Sequence, residues 1–439
     1  MLKFPHLPEK IFQKLDSESL FKSREVERSW QIIIDGRNYP WLRIVNIPTI
    51  LKARNSYVHH AAETGQIEAF KTAFHQEEDI NLKNEFGETP IHLACKNGRF
   101  KIVQLLLKNT YMKINVNAKD ETGMGNTALD LACIRGHSDV IKILMENAAL
   151  LRIDLNAKNN FNMPAFSWAF RHADVVKIFM ENAATLGIDL NAKGGITNVT
   201  GFHQACEQGN ANVVKIFMKN AASLGIDLNA KDYAEWTGFH HACEQGNADV
   251  VKILMKNAAV LSIDLNAEDK DGSTAFHLAC QKGTSGVIED LMENASTLCI
   301  DLNTKSKQGH TPFHLACQRG QSDVVKMFMV NALSMRLNLN TVNKYGNTAF
   351  HLACQTGTSN VVKIFMEMAA VLCIDLNIKN NNGMTALQLA GQNGHTDVVN
   401  IFLEDFDRSN LAKAEELSGK IEVLYVPHEI KCILQFEMI

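Results

Sequence analysis

The sequence predicts an all-α protein: a solenoid of about ten stacked helix–turn–helix units, preceded by a small helical motif. Three observations predict it. One block of sequence recurs ten times at nearly constant phase. Each copy carries two apolar stretches at helical spacing, separated by Gly. Hydrophobic residues make up 46% of the 439 positions, ample for a core, yet no run reaches the roughly 18 uninterrupted apolar residues that a membrane span needs.

The repeat sets the domain organisation. GETPIHLACKNGRFKIVQLLL, GNTALDLACIRGHSDVIKILM and GHTPFHLACQRGQSDVVKMFM are copies of one unit. The copies are anchored at Ser56, Thr89, Thr127, Pro164, Thr200, Thr237, Thr274, Thr311, Thr348 and Thr385, with spacings of 33, 38, 37 and 36, then 37 five times. Residues 53–403 therefore form the array, 1–48 an N-terminal motif and 404–439 a tail. This periodicity overrides the three domains that length alone suggests at roughly 150 residues each, because a repeat unit buries its apolar face only against its neighbours.

Each element of the unit has a local cause. Gly and Asn in NKYGNT or DKDGST make a tight turn. Thr then caps the first helix, and LACQRG closes that helix on Gly. DVVKIFMENAA forms a second, amphipathic helix whose acidic start (Asp139, Asp174, Asp249, Asp323, Asp397) suits a helix N-terminus. The runs Thr89-Pro90-Ile91-His92-Leu93-Ala94 and Thr311-Pro312-Phe313-His314-Leu315-Ala316 resemble the ankyrin repeat, whose signature is T-P-L-H-x-A within about 33 residues. That resemblance implies an array that grips protein partners with its turn tips and the inner face of its first helices. The family unit usually ends in a short loop and Asp-Val-Asn, whereas this sequence carries MENAATLGIDLNAK, as at Met180 to Lys193. The extra four residues are close to one helical turn of 3.6, so a longer second helix is expected.

The motif histidine recurs as His59, His92, His203, His240, His277, His314 and His351, in most copies with a Cys three residues on. Such a pair shares a helix face, but two ligands per place fall short of the four that a structural zinc site wants. No metal site is expected. The histidine reads as a hydrogen-bonded scaffold residue, as the ankyrin resemblance implies, and the recurring Cys as a small buried hydrophobe with a free thiol.

Residues Phe4 to Ile44 lack the repeat. Leu7-Pro8-Glu9 opens a helix, with Pro early, where its missing N–H costs nothing. Ile11, Phe12 and Leu15 share one helical face, Asp16-Ser17 breaks and recaps, Leu20, Val26 and Trp30 continue the apolar pattern, and Trp41 closes it. Three short helices in about 40 residues hold too little core to stand alone. The order and spacing of these residues resemble the F-box, although Glu27 stands where that family commonly has Cys, and Arg24, Glu25 and Arg28 charge a usually apolar stretch. The resemblance implies docking onto the Skp-family adaptor of a cullin–RING ubiquitin ligase. Leu7, Pro8, Ile11, Phe12, Leu15, Leu20, Val26, Trp30 and Trp41 would be the anchors of a helix-in-groove contact. The alternative is a helical cap on the open end of the array. Val45 to Arg54 are not Gly/Ser-rich, which predicts a stiff connection to the first repeat.

Because most units are near-copies, deviations point to a binding surface. The position after the motif His is Leu93, Leu131, Leu278, Leu315, Leu352 and Leu389 in six units, but Trp168, Gln204 and His241 in the adjacent fourth to sixth. Turns beside these carry Phe161, Tyr233 and Trp236, while later turns mostly carry Lys, Asp, Asn and Gln. The fourth unit also has Ser167 for the motif His and lacks two residues between its helices. Phe161, Trp168, Gln204, Tyr233, Trp236 and His241 are therefore the candidate partner-binding residues; drift with local repacking is the competing explanation.

The remaining features exclude function classes. A net charge of −4, from 44 Lys+Arg against 48 Asp+Glu, argues against a nucleic-acid or membrane-surface protein. Pro, His, Glu and Lys interrupt any apolar signal core at the N-terminus, so the cytoplasm is the expected location, with the nucleus open to it. No phosphate-binding, dinucleotide-binding, zinc-protease or nucleophile-elbow motif is present, and no cofactor is expected. The expectation is a non-enzymatic recruiter of an unidentified target protein, monomeric within a larger complex. The alternative is a plain scaffold, and the tail is a candidate cap.

Overall fold

The computed structural model describes residues 57–75, 79–108 and 113–405. The N-terminal motif at 1–48, all nine of its adaptor-binding residues, and the tail beyond 405 lie outside the described residues. Among the described residues the chain is helix, turn and loop, apart from isolated bridges at Lys158–Pro164 and Gly194–Val199. It divides into two compact units at Ile188.

The first unit holds α1 (Tyr57–Thr64), α2 (Ile67–His75), α3 (Pro90–Lys96), α4 (Phe100–Lys108), α5 (Ala128–Arg135), α6 (Ser138–Glu146), α7 (Ala148–Leu151), a 3-10 helix (Ala165–Arg171) and α8 (Ala173–Leu186). The second holds α9 (Gly201–Glu207), α10 (Ala211–Leu224), α11 (Gly238–Gln245), α12 (Ala248–Leu261), α13 (Ala275–Lys282), α14 (Ser285–Leu298), α15 (Pro312–Gln318), α16 (Ser322–Asn331), α17 (Ala349–Gln355), α18 (Ser359–Met368) and α19 (Ala386–Gln392). A last helix follows over 396–405. In the second unit the first helices α9, α11, α13, α15, α17 and α19 pack side by side as one layer, and α10, α12, α14, α16 and α18 as another.

A reciprocal cap starts the first helices. Thr311 sits in extended conformation; its hydroxyl accepts the His314 N–H at 3.4 Å, while His314 Nδ1 accepts the Thr311 N–H at 3.2 Å. This is a capping box in which imidazole takes the role usually played by Glu. The far side of the ring crosses to the next repeat: Nε2 donates to His310 O from His277 (3.0 Å), to Asn347 O from His314 (3.2 Å) and to Met384 O from His351 (3.2 Å). One nitrogen accepts and the other donates, so the ring is neutral. Burial holds His277 and His314 down to about 4. Asp130 and Gln388 replace the imidazole behind Thr127 and Thr385.

The additional residues lengthen the second helix in only some repeats: α6, α16 and α18 stop after 9, 10 and 10 residues, whereas α8, α10, α12 and α14 run 14, against 9 in α4. These four end on a left-handed residue: Gly187 and Gly225, but also Ser262 and Cys299, at φ 53° and 54°. A non-Gly residue there costs on the order of 1 kcal/mol. The Ile-Asp-Leu-Asn that follows buries Ile and Leu and uses Asn as a strut. Asn266 donates to Cys299 O at 2.8 Å and accepts from the Asp301 N–H at 3.1 Å; Asn229 repeats this with Ser262 and Asp264.

Between the layers, paired rings fill the core: Phe350–Phe365 at 4.8 Å, Phe202–Phe217 at 5.3 Å and Phe313–Phe328 at 5.3 Å. The recurring cysteines Cys95 to Cys354 are fully buried, and burial pushes their thiols up. The fourth repeat differs. Lacking two residues between its helices, it forms the 3-10 helix Ala165–Arg171, and His172 alone separates that helix from α8.

Candidate protein-binding site

In the second unit, Asp232 builds the turn that precedes α11. Its Oδ1 accepts the N–H groups of Ala234 (2.8 Å) and Trp236 (2.9 Å), and its own N–H donates to Trp236 O at 2.9 Å. The turn projects Tyr233, whose side chain is 70% exposed. Lys270, from the next tip, lies with Nζ 3.6 Å from the Tyr233 ring centroid, a cation–π contact. On the other side the Tyr233 N–H donates to Thr197 O at 2.8 Å, next to the almost fully exposed Ile196. Ile196, Tyr233 and Lys270 thus form a ridge along three consecutive tips.

The ridge has a rigid base. Trp236 is half-buried and donates Nε1–H to Asp269 Oδ2 at 3.1 Å. Its ring lies parallel to His240 at 6.4 Å and edge-on to His241 at 5.3 Å. His241 Nε2 donates to Asp232 Oδ2 at 3.0 Å, and His203 Nε2 donates to Trp236 O at 3.0 Å. Burial acts to raise the Asp232 carboxyl, but the His241 hydrogen bond and the Trp236 N–H outweigh it and hold Asp232 below its usual value. Burial holds His203 and His240 down to about 4. Gly238 has no alternative at its position: a Cβ there would stand 2.7 Å from the Phe202 ring.

The candidate residues fall into different settings. Tyr233, Trp236 and His241 meet on one turn and the helix it feeds, but only Tyr233 projects into solvent; His241 is 9% exposed and acts as a strut beneath the turn. Gln204, on the neighbouring α9, is half-buried, with Oε1 enclosed and without a partner. In the first unit, Phe161 is an exposed tip residue, and Trp168 sits half-buried in the 3-10 helix with its Nε1 unpartnered. Exposed aromatic tips also occur at Phe86 and Tyr345, outside the three deviating repeats. Sequence reasoning missed Ile196, Lys270 and the struts Asp232 and Asp269. Lys270 stands 37 residues after Tyr233, one repeat along, and that spacing is the signal that could have found it. Among the described residues, no group of three or more His, Cys, Asp or Glu could hold a metal ion, and no helix is long and apolar enough to cross a membrane.

A family model described as ankyrin repeats (3 copies) matches residues 58–159, 166–264, 239–334 and 328–412. The human transient receptor potential cation channel subfamily A member 1 is 43% identical over 67 residues, which cover 15% of this chain and 6% of that protein. The matched stretch is thus a small part of that relative. Residues 1–57 precede the matched segments.

Proposed function

The chain belongs to the ankyrin-repeat family, a family of protein–protein interaction modules, and from that premise we propose that it recruits a target protein to a cullin–RING ubiquitin ligase. The repeats take the target. Residues 1–48 dock the Skp-family adaptor through Leu7, Pro8, Ile11, Phe12, Leu15, Leu20, Val26, Trp30 and Trp41. The chain itself supplies no chemistry to ubiquitin transfer.

The observation that carries target binding is the ridge of Ile196, Tyr233 and Lys270 on its braced base. An exposed aromatic held by a cation and a fixed turn loses little entropy when a partner covers it, which is what makes such residues anchors. Trp236 and His241 brace it from beneath through Asp232 and Asp269. The adaptor half rests on the Leu-Pro to Trp pattern alone.

Co-purification of the full chain with a Skp-family adaptor, with and without Leu7→Ala/Pro8→Ala, tests the ligase reading. The parent should retain the adaptor and the variant lose it. No retention by the parent would leave a scaffold whose first residues only cap the array. Proximity labelling of parent and Tyr233→Ala then separates target from background. An unchanged set of labelled proteins would remove the ridge from target binding.

A further inference from the structure

We propose that the solvent face of α10 and α12 is a second protein-binding surface, which takes a short acidic segment of a partner. It is distinct from the tip ridge and independent of the ligase reading. The near-identity of the repeats makes it visible. In three second helices the Lys is followed four residues later by Glu: Lys142/Glu146 in α6, Lys177/Glu181 in α8 and Lys363/Glu367 in α18. The Lys177–Glu181 pair closes at 3.7 Å. In α10 and α12 that Glu becomes Lys219 and Lys256, so Lys215/Lys219 and Lys252/Lys256 set like charges one turn apart. All four side chains are exposed. Like charges at this spacing disfavour the helix, so stability does not explain them. Lys252 pairs with Asp290 at 3.3 Å; among the described residues, Lys215, Lys219 and Lys256 make no ion pair.

Helix geometry sets the spacing of the four positions. Residues four apart on a helix are about 6 Å apart along its axis, and packed helices lie about 8–10 Å apart. An extended peptide places alternate side chains about 6.6 Å apart on one face, so acidic residues at alternate positions match a Lys pair on one helix. The site is also bounded. Glu289 and Glu293 on α14 lie one repeat further on, where they would repel a long polyanion crossing the layer. That boundary favours a short acidic peptide over a nucleic acid, whose phosphates would run on into α14.

Fluorescence anisotropy with the full chain tests this, using a labelled octapeptide of alternating Glu and Ser and its Gln/Ser counterpart, at about 50 mM salt, where screening is weak. The Glu peptide should bind at least about tenfold tighter than the Gln peptide, and Lys219→Glu/Lys256→Glu should remove that preference. The variant creates the Lys–Glu pairs that α6, α8 and α18 carry, so its thermal midpoint should stay or rise. Equal binding of the Glu peptide by parent and variant would overturn the proposal. So would tighter binding of single-stranded RNA than of the acidic peptide.

Discussion

Lowering the pH from 7 to 5 should destabilise the second unit strongly, because unfolding releases histidines that the fold keeps neutral. His203, His240, His277 and His314 are held at about 4, first by burial. Unfolded, each returns to about 6.5. The folded value is the depressed one, so their stability is complete above about 6.5 and is lost as pH falls toward 4. At pH 5 the unfolded rings are almost fully protonated and the folded ones are not. Linkage makes that about 2 kcal/mol per ring relative to pH 7, or about 7 kcal/mol for the four. Domain stabilities are about 5–15 kcal/mol, so the loss is decisive. The control is His277→Gln, patterned on Gln388, whose Oε1 already accepts the Thr385 N–H at 2.9 Å. It keeps the cap, loses the bridge to His310 O, and should cost about 1–2 kcal/mol at pH 7. It should also remove one ring's share of the acid sensitivity. Urea midpoints of the full chain by circular dichroism at pH 7, 6 and 5 give both numbers. Equal midpoints at pH 7 and 5, or a His277→Gln chain with undiminished acid sensitivity, would refute the account.

Two further outcomes follow from the packing. Asn266→Ala removes both struts to the next repeat, at Cys299 O and the Asp301 N–H, and should cost about 1–2 kcal/mol; undiminished hydrogen-exchange protection of the Asp301 amide would contradict it. Thiol labelling of the native chain should modify the exposed Cys299 and Cys373 at least roughly a hundredfold faster than Cys280, Cys317 or Cys354, because the buried thiols wait on local openings that cost about 3 kcal/mol or more. Comparable rates would show a core looser than described.

Much of the local structure was legible because it depends on neighbours in the chain. Thr311 caps a helix because His314 is three residues away, and the four added residues lengthen the second helix in α8, α10, α12 and α14. The candidate site was legible only in part. The deviation from Leu to His241 marks the right turn, yet a Leu-to-His change does not say whether the ring faces out or in. It faces in, since Asp232 Oδ2 lies 3.0 Å away and accepts its N–H. Trp236 likewise reads as an exposed anchor in DYAEWT but is half-buried, because Asp269 of the next repeat takes its Nε1–H. The fourth repeat's 3-10 helix was hidden too, since a two-residue deletion predicts a shortage of chain but not which helix absorbs it.

The chain alone determined that this is an ankyrin-repeat protein and which Thr opens most of its first helices. Periodicity and capping are local, and a near-copied unit states them again in each repeat. Only the tertiary structure decided what each odd residue does. Its partner lies 33 to 37 positions away on the next repeat, and stacking brings that group within hydrogen-bonding reach or leaves the side chain, as with Tyr233, standing in solvent.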